Sequence, residues 1–176
     1  TKQIVNGSLE IVGFAAAITQ IVKSVLQIPI ARYLDKNHGE HDDFISLMLG
    51  NIFVVLVPFS YLLATTATHI YLIQAMYGVA LALVVPPWFA IFTRHIDTMQ
   101  ENIEWSFESV GIGISGAGAA ALGGVLATNL GFNSVFVFSG ILALIGVLVK
   151  TMIFKDLKNK VSRGQVKPLP HKNTGV

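Results

Sequence analysis

The sequence predicts an all-α membrane protein with five transmembrane helices, on three observations. Of its 176 residues 53% are hydrophobic and only 12% are charged, with a mean hydropathy of +0.65, against the roughly 25% charged residues of soluble domains. Five nearly uncharged stretches are each long enough to cross the membrane, since about 20 helical residues at a rise near 1.5 Å span roughly 30 Å of hydrocarbon. The connections between these stretches are alternately charged and uncharged.

The spans are expected at residues 9–31, 44–64, 70–93, 105–128 and 133–154. Residues 1–155 then form one transmembrane domain, and residues 156–176 form a basic cytoplasmic tail expected to be disordered. The first span closes on the charged segment "RYLDKNHGEHDD". The second is apolar apart from Asn51, Ser60 and Tyr61, and the third follows "TTATH" and carries Pro86 and Pro87. The fourth, after "RHIDTMQENIE", is rich in glycine and alanine. The fifth follows "NLGFN", with Ser139 within it and Lys150 near its end. Pro29, Pro58 and the Pro86–Pro87 pair read as kinks facing protein, because such breaks persist in lipid when neighbouring helices satisfy the freed carbonyls.

Apart from Lys2 and the intraspan Lys23 and Lys150, lysine and arginine fall in the two charged connections and in the C-terminal stretch, which collects Lys155, Lys158, Lys160, Arg163, Lys167 and Lys172. The positive-inside rule places these in the cytoplasm and the N-terminus outside, in a multi-pass protein of the cell membrane. A basic tail also suits nucleic acid, but behind five spans the membrane bias accounts for it. The expected partner is the lipid bilayer, with no nucleic acid. The chain opens on Thr1 with no signal peptide ahead of a span entering from outside, so a further upstream helix is expected, making these the last five spans of six. With no cysteine there is no disulfide, thiolate metal site or cysteine nucleophile.

The fourth span holds "GIGISGAGAAALGG", in which Gly111, Gly113 and Gly116 stand in the order of a dinucleotide-binding loop. That motif needs a strand before it, a helix after it and an acidic residue about 20 positions on. Here no Asp or Glu follows until Asp156. On a helix the small residues instead recur every four positions, as in Ser109, Gly113, Ala117 and Ala121, or Gly116, Ala120 and Gly124. Such rows let helix backbones approach closely in lipid. Gly113, Gly116, Gly123 and Gly124 are therefore expected to make a packing face, on a helix enclosed by neighbours on more than one side.

Lys23 stands out within the first span, because an ionised side chain there costs about 2.5–3.5 kcal/mol on insertion scales and usually faces a bundle interior or a watery cavity. Gln20, Lys23, Ser24 and Gln27 share one helical stripe. Lys23 can alternatively snorkel toward the membrane surface. On the third span Tyr71, Gln74, Tyr77 and Trp88 lie near a single face, suited to a cavity wall or to core packing. Glu108 either titrates within a pathway or caps a helix near the headgroups. "HGEHDD" groups imidazoles and carboxylates, but a loop without defined spacing makes a weak zinc site, and no cofactor or metal is expected. "NGS" at Asn6 is a glycosylation sequon on the expected outer side.

A span ending in "PIARYLDKNHG", an apolar span, a span carrying "QAMYGVALALVVP", a charged loop and a glycine-rich span ending in "GGVL" together resemble the second to sixth helices of one half of a major facilitator superfamily transporter. "ARYLDKNHG" is similar to the family's loop pattern of Gly, three residues, Asp, Arg or Lys, one residue, Gly. Ala31 replaces the first Gly, Asp35 and Lys36 match, and His38 is an extra residue before Gly39. The resemblance implies that Asp35 and Lys36 stabilise the outward-facing state. Asp35 can do so by accepting backbone N–H bonds at a helix N-terminus or by pairing with Arg94. It also implies that Gln74 and Tyr77 line the central cavity, while the second and fifth spans face lipid. Two departures bear on coupling. Gln74 stands where the family often has an Arg associated with proton coupling, and Ala119–Ala120 replaces the antiporter Gly-Pro pair.

The expected function is a secondary transporter, moving a small solute by alternating access as a half unit that needs a second half, from a homodimer or the rest of a longer chain. The pathway candidates are Gln20, Lys23, Gln27, Gln74, Tyr77 and Glu108. The alternative is a non-transporting scaffold or sensor whose basic tail binds anionic lipid. No nucleophile–base pair, acid pair or deep metal cluster within the spans points to an enzyme.

Overall fold

The computed structural model describes residues 9–37, 40–97 and 99–162. They form five helices, α1 (Leu9–Asn37), α2 (Glu40–Leu63), α3 (Ala67–His95), α4 (Glu101–Leu130) and α5 (Phe132–Ser162). All five carry a stretch long and apolar enough to cross a membrane, which is the architecture expected. Each helix outruns its expected span at one end or both, and α5 continues to Ser162, into the stretch expected to be disordered tail. The Asn6 sequon, His38, Gly39 and the tail beyond Ser162 lie outside the described residues.

The connections at one end of the bundle are charged and those at the other are not. At the uncharged end Thr66 caps α3, its side chain accepting from the backbone N–H of His69 at 3.3 Å. Gly131 alone separates α4 from α5. Its φ of 83° lies in the left-handed region, and its N–H donates to the Ala127 carbonyl, so a glycine here turns the chain at no steric cost.

The helices do not pack in chain order. α3 lies between α1 and α2, α2 also packs on α5, and α5 on α4, giving the spatial order α1, α3, α2, α5, α4. With no hydrophobic force to separate helix from lipid, these contacts depend on close backbone approach. Gly50 and Gly78 supply it. A Cβ on Gly50 would sit 2.7 Å from Val84 Cγ2 and 2.8 Å from the Ala80 carbonyl oxygen, and one on Gly78 would sit 2.7 Å from the Thr19 carbonyl oxygen. Gly140 meets the Phe59 ring in the same way, where α5 crosses α2.

The fourth helix corrects the sequence expectation. No residue of α4 is buried, a Cβ on Gly113, Gly116 or Gly124 would meet nothing within 4 Å, and one on Gly123 would only touch Val135 at 4.0 Å. Its small-residue rows are thus left open by the described residues. The glycines that set helix spacing are single ones among larger residues, and no repeat advertises them. The second span departs as well: α2 buries Asp43, Ser46, Leu47, Gly50 and Asn51 between two neighbours instead of facing lipid throughout.

The prolines all lie inside helices, but only in part against protein: Pro87 is buried, Pro58 and Pro86 are half-buried, and Pro29, expected to face protein, is exposed. α3 runs unbroken through Pro86 and Pro87. Pro87 has no N–H to offer the carbonyl four residues back, which belongs to Leu83. Ser46 Oγ on α2 donates to that carbonyl at 3.0 Å. Ser46→Ala is expected to destabilise the protein by about 1–3 kcal/mol, the cost of a buried acceptor left unpaired. Ser46→Thr, which keeps the donor, should cost less; unfolding in a mixed-micelle denaturant titration measures both.

Candidate functional site

α1 and α3 run the same way, with Thr19 beside Gln74 and Val22 beside Gly78. On α1 the stripe of Lys23, Gln27 and Gln20 lies on the clockwise side of this contact face, and on α3 Tyr77 and Trp88 lie on the anticlockwise side. For two helices running parallel and meeting face to face, those two sides open in the same direction. One side of the α1–α3–α2 layer therefore carries the polar stripe together with the aromatic edge. Its opposite side holds an apolar groove of about 520 Å³ across Pro29, Tyr33, Leu49 and Leu83.

Lys23 is the middle residue of α1, half-buried beside the exposed Gln20, and Gln27 lies one turn further on. Among the described residues no carboxylate pairs with Lys23. Toward the charged end α4 closes on the same side. Trp88 Nε1 donates to Glu108 Oε1 at 3.3 Å, and Trp105 packs against Phe89 and Phe92 with ring centroids 5.5 and 4.7 Å apart. Glu108 thus meets the layer at Trp88, toward the charged end.

Gln74 is engaged with its neighbours. Its Nε2 donates to Tyr61 Oη at 2.7 Å, its Oε1 accepts from Thr19 Oγ1, and Tyr61 stacks on Phe136 at 5.0 Å. One amide thereby ties α1, α3 and α2 together, with α5 joined through the stacked ring. A neutral amide can do this because it both donates and accepts, which an arginine at this position cannot. Tyr77, one turn on, remains on the open side.

At the charged end Arg94 bonds to Asp43, whose side chain is 8% exposed, and donates from Nε to the Ala90 carbonyl at 3.1 Å. The partner expected from the loop pattern was Asp35. That residue lies in the last turns of α1, exposed, as is Lys36, and α1 reaches α2 only in passing. Asp43 sits on the helix that packs directly against α3, which places it within Arg94's reach. The "HGEHDD" carboxylates disperse: Asp43 goes to Arg94, Glu40 faces His95 at 3.6 Å, and Asp42 lines the apolar groove.

Sequence reasoning also missed a polar contact in the second and fifth spans. Lys150 Nζ donates to Asn51 Oδ1 at 2.9 Å, and Asn51 Nδ2 donates to the Leu47 carbonyl at 2.6 Å. Lys150 is two residues from the end of the apolar stretch, close enough to extend to the membrane surface. Its ammonium is instead held by the Asn51 amide on α2. The signal was present in the sequence, one amide and one cation in two otherwise apolar spans, but nothing in it gave their register.

Comparison with curated proteins and with solved structures gives no match. The family model described as Major Facilitator Superfamily matches residues 2–174, almost the whole chain. Five membrane-spanning helices, a glycine-tightened layer and a polar face at mid-helix depth agree with that match, and the chain belongs to the Major Facilitator Superfamily, a family of membrane transporters.

Proposed function

We propose that the protein moves a small solute by alternating access, along the side of the layer that carries Gln20, Lys23, Gln27, Tyr77 and Glu108. The observation that supports this most strongly is Lys23, a cation at the centre of a spanning helix with no carboxylate partner among the described residues. A lone charge at that depth is costly against lipid and tolerable against a watery pathway. Gln74 serves the pathway by fixing α1, α2 and α3 in register behind it. In transporters built from repeats the site forms between two halves. The open rows of small residues on α4 fit a second half, from another copy or from more of the same polypeptide. The charged end is cytoplasmic, with the Arg94–Asp43 pair holding α2 to α3 there, and Asp35 and Lys36 free to latch against the other half.

These 176 residues contain no cysteine, so a cysteine introduced among them is the single thiol in this stretch. Gln20→Cys and Gln27→Cys are each expected to react with a membrane-impermeant maleimide applied from either side in turn, since a pathway residue is exposed alternately. Leu142→Cys, on the exposed face of α5, should stay unlabelled from both sides. Labelling of Gln20→Cys and Gln27→Cys from one side only, under all conditions, would defeat the alternating-access reading.

A further inference from the structure

We infer that the transported solute is an anion and that Lys23 is the residue that selects it, an inference that rests on the pathway proposed above. It starts from where the other charges are engaged. Lys150, the other cation within a span, donates to Asn51 Oδ1, and Arg94 is held by Asp43. Among the acids near the layer, Glu108 accepts from Trp88, Glu104 from the backbone N–H of Asp97, and Glu101 from that of Met99. Glu40 faces His95, and Asp42 lies on the opposite side of the layer. Glu10 is in the first turn of α1, about 20 Å along the helix from Lys23 at 1.5 Å per residue.

Lys23 therefore brings an uncompensated positive charge to the middle of the layer's polar face. Its ammonium has three donors and accepts nothing, so a bound solute gains most by presenting a carboxylate, phosphate or sulfate oxygen to it. A cationic solute meets only repulsion there, and a neutral one leaves the charge unmatched. The amide best suited to grip a polyol, Gln74, has its donor and acceptor already engaged by Tyr61 and Thr19. What remains free on this side is one cation flanked by Gln20 and Gln27, with the Tyr77 ring on the facing helix at about the same level. That set suits a small organic anion with an apolar portion: the amides hold a second polar atom, and the ring takes the carbon skeleton.

The test uses the protein expressed from its complete reading frame, purified and reconstituted in phosphatidylcholine vesicles. Uptake is measured for lactate, succinate and inorganic phosphate, against glucose, glycerol and choline. The expected result is uptake of one or more of the three anions, reduced roughly 30-fold or more in Lys23→Gln, as for loss of one partner of a desolvated charge pair, and largely kept in Lys23→Arg. Uptake confined to glucose, glycerol or choline, or anion uptake indifferent to Lys23→Gln, would overturn this inference and leave the transport reading standing. No uptake of any of the six by inserted wild-type protein would overturn both.

Discussion

Asp43→Ala is expected to destabilise the protein by about 3–5 kcal/mol, the range for removing one member of a buried ion pair. Arg94, packed between α2 and α3 with its side chain 29% exposed, would keep its charge and lose its partner. Arg94→Ala leaves Asp43 worse placed, because the Asp43 side chain is the more buried of the two at 8% exposed. The pair need not stabilise the fold as a whole, since desolvation offsets much of the attraction between buried charges. The double substitution Asp43→Ala with Arg94→Ala should therefore cost clearly less than the sum of the singles. Denaturant titration of the four proteins in mixed micelles gives that coupling directly. Additive costs would mean that the two side chains act separately. Asp35→Ala, at an exposed position on α1, should leave unfolding almost unchanged. Should Asp35 latch against a second half, its loss would appear in flux or in side-dependent cysteine labelling.

The second large effect contrasts two glycines. Gly50→Val is expected to cost at least about 3 kcal/mol, at or beyond the upper part of the usual overpacking range. Even the first added carbon would lie under 3 Å from the Ala80 carbonyl oxygen, Val84 and the Cβ of Leu83. Two of these three contacts involve backbone or Cβ atoms, which cannot swing aside, so α2 and α3 must separate. Separation would also stretch the Ser46 bond to the Leu83 carbonyl and the Asp43–Arg94 pair, both at the same interface. Gly116→Ala on α4 meets open space and should stabilise the isolated five-helix unit by up to about 1 kcal/mol, the helix-propensity difference between the two residues. A second half seated on α4 would reverse that sign in the assembled transporter. Measuring Gly116→Ala in both settings therefore tests whether α4 is an interface. A destabilised isolated unit would show instead that α4 packs within the chain.

How much of the site could be read in the sequence depended on whether a residue's role was local or relational. Lys23 was legible because a charge in the middle of an apolar span is anomalous wherever the helix goes, and its stripe with Gln20 and Gln27 follows from helical spacing alone. Glu108 was legible as a charge near a span's end, but its contact with Trp88 was not, since that depends on α4 approaching α3 at the charged end. Gln74 was singled out for a sound reason, an amide in a membrane helix, and assigned to the cavity. Its hydrogen bonds to Thr19 and Tyr61 engage it within the layer. Both partners come from other helices, Thr19 on α1 and Tyr61 on α2, and no helical wheel contains that information. Arg94 was identified with the wrong carboxylate for a similar reason. Asp35 belongs to the expected loop pattern, whereas Asp43 belongs to the helix that packs on α3.

The sequence by itself determined the number of helices, their approximate limits and the alternation of charged and uncharged ends. Each of these follows from the cost of placing backbone and charge in hydrocarbon, which acts residue by residue along the chain. It also determined that the prolines would sit inside continuous helices. Only the tertiary structure decided the spatial order α1, α3, α2, α5, α4, and with it which polar groups meet. In lipid almost every apolar face is an acceptable outer surface, so hydropathy cannot say which face of a helix turns inward. That choice falls to a few close approaches at Gly50, Gly78 and Gly140 and to a few buried polar bonds. The most conspicuous feature of the sequence, the glycine-rich fourth span, is the least enclosed helix of the fold, because small residues permit close packing only where a partner is present to pack.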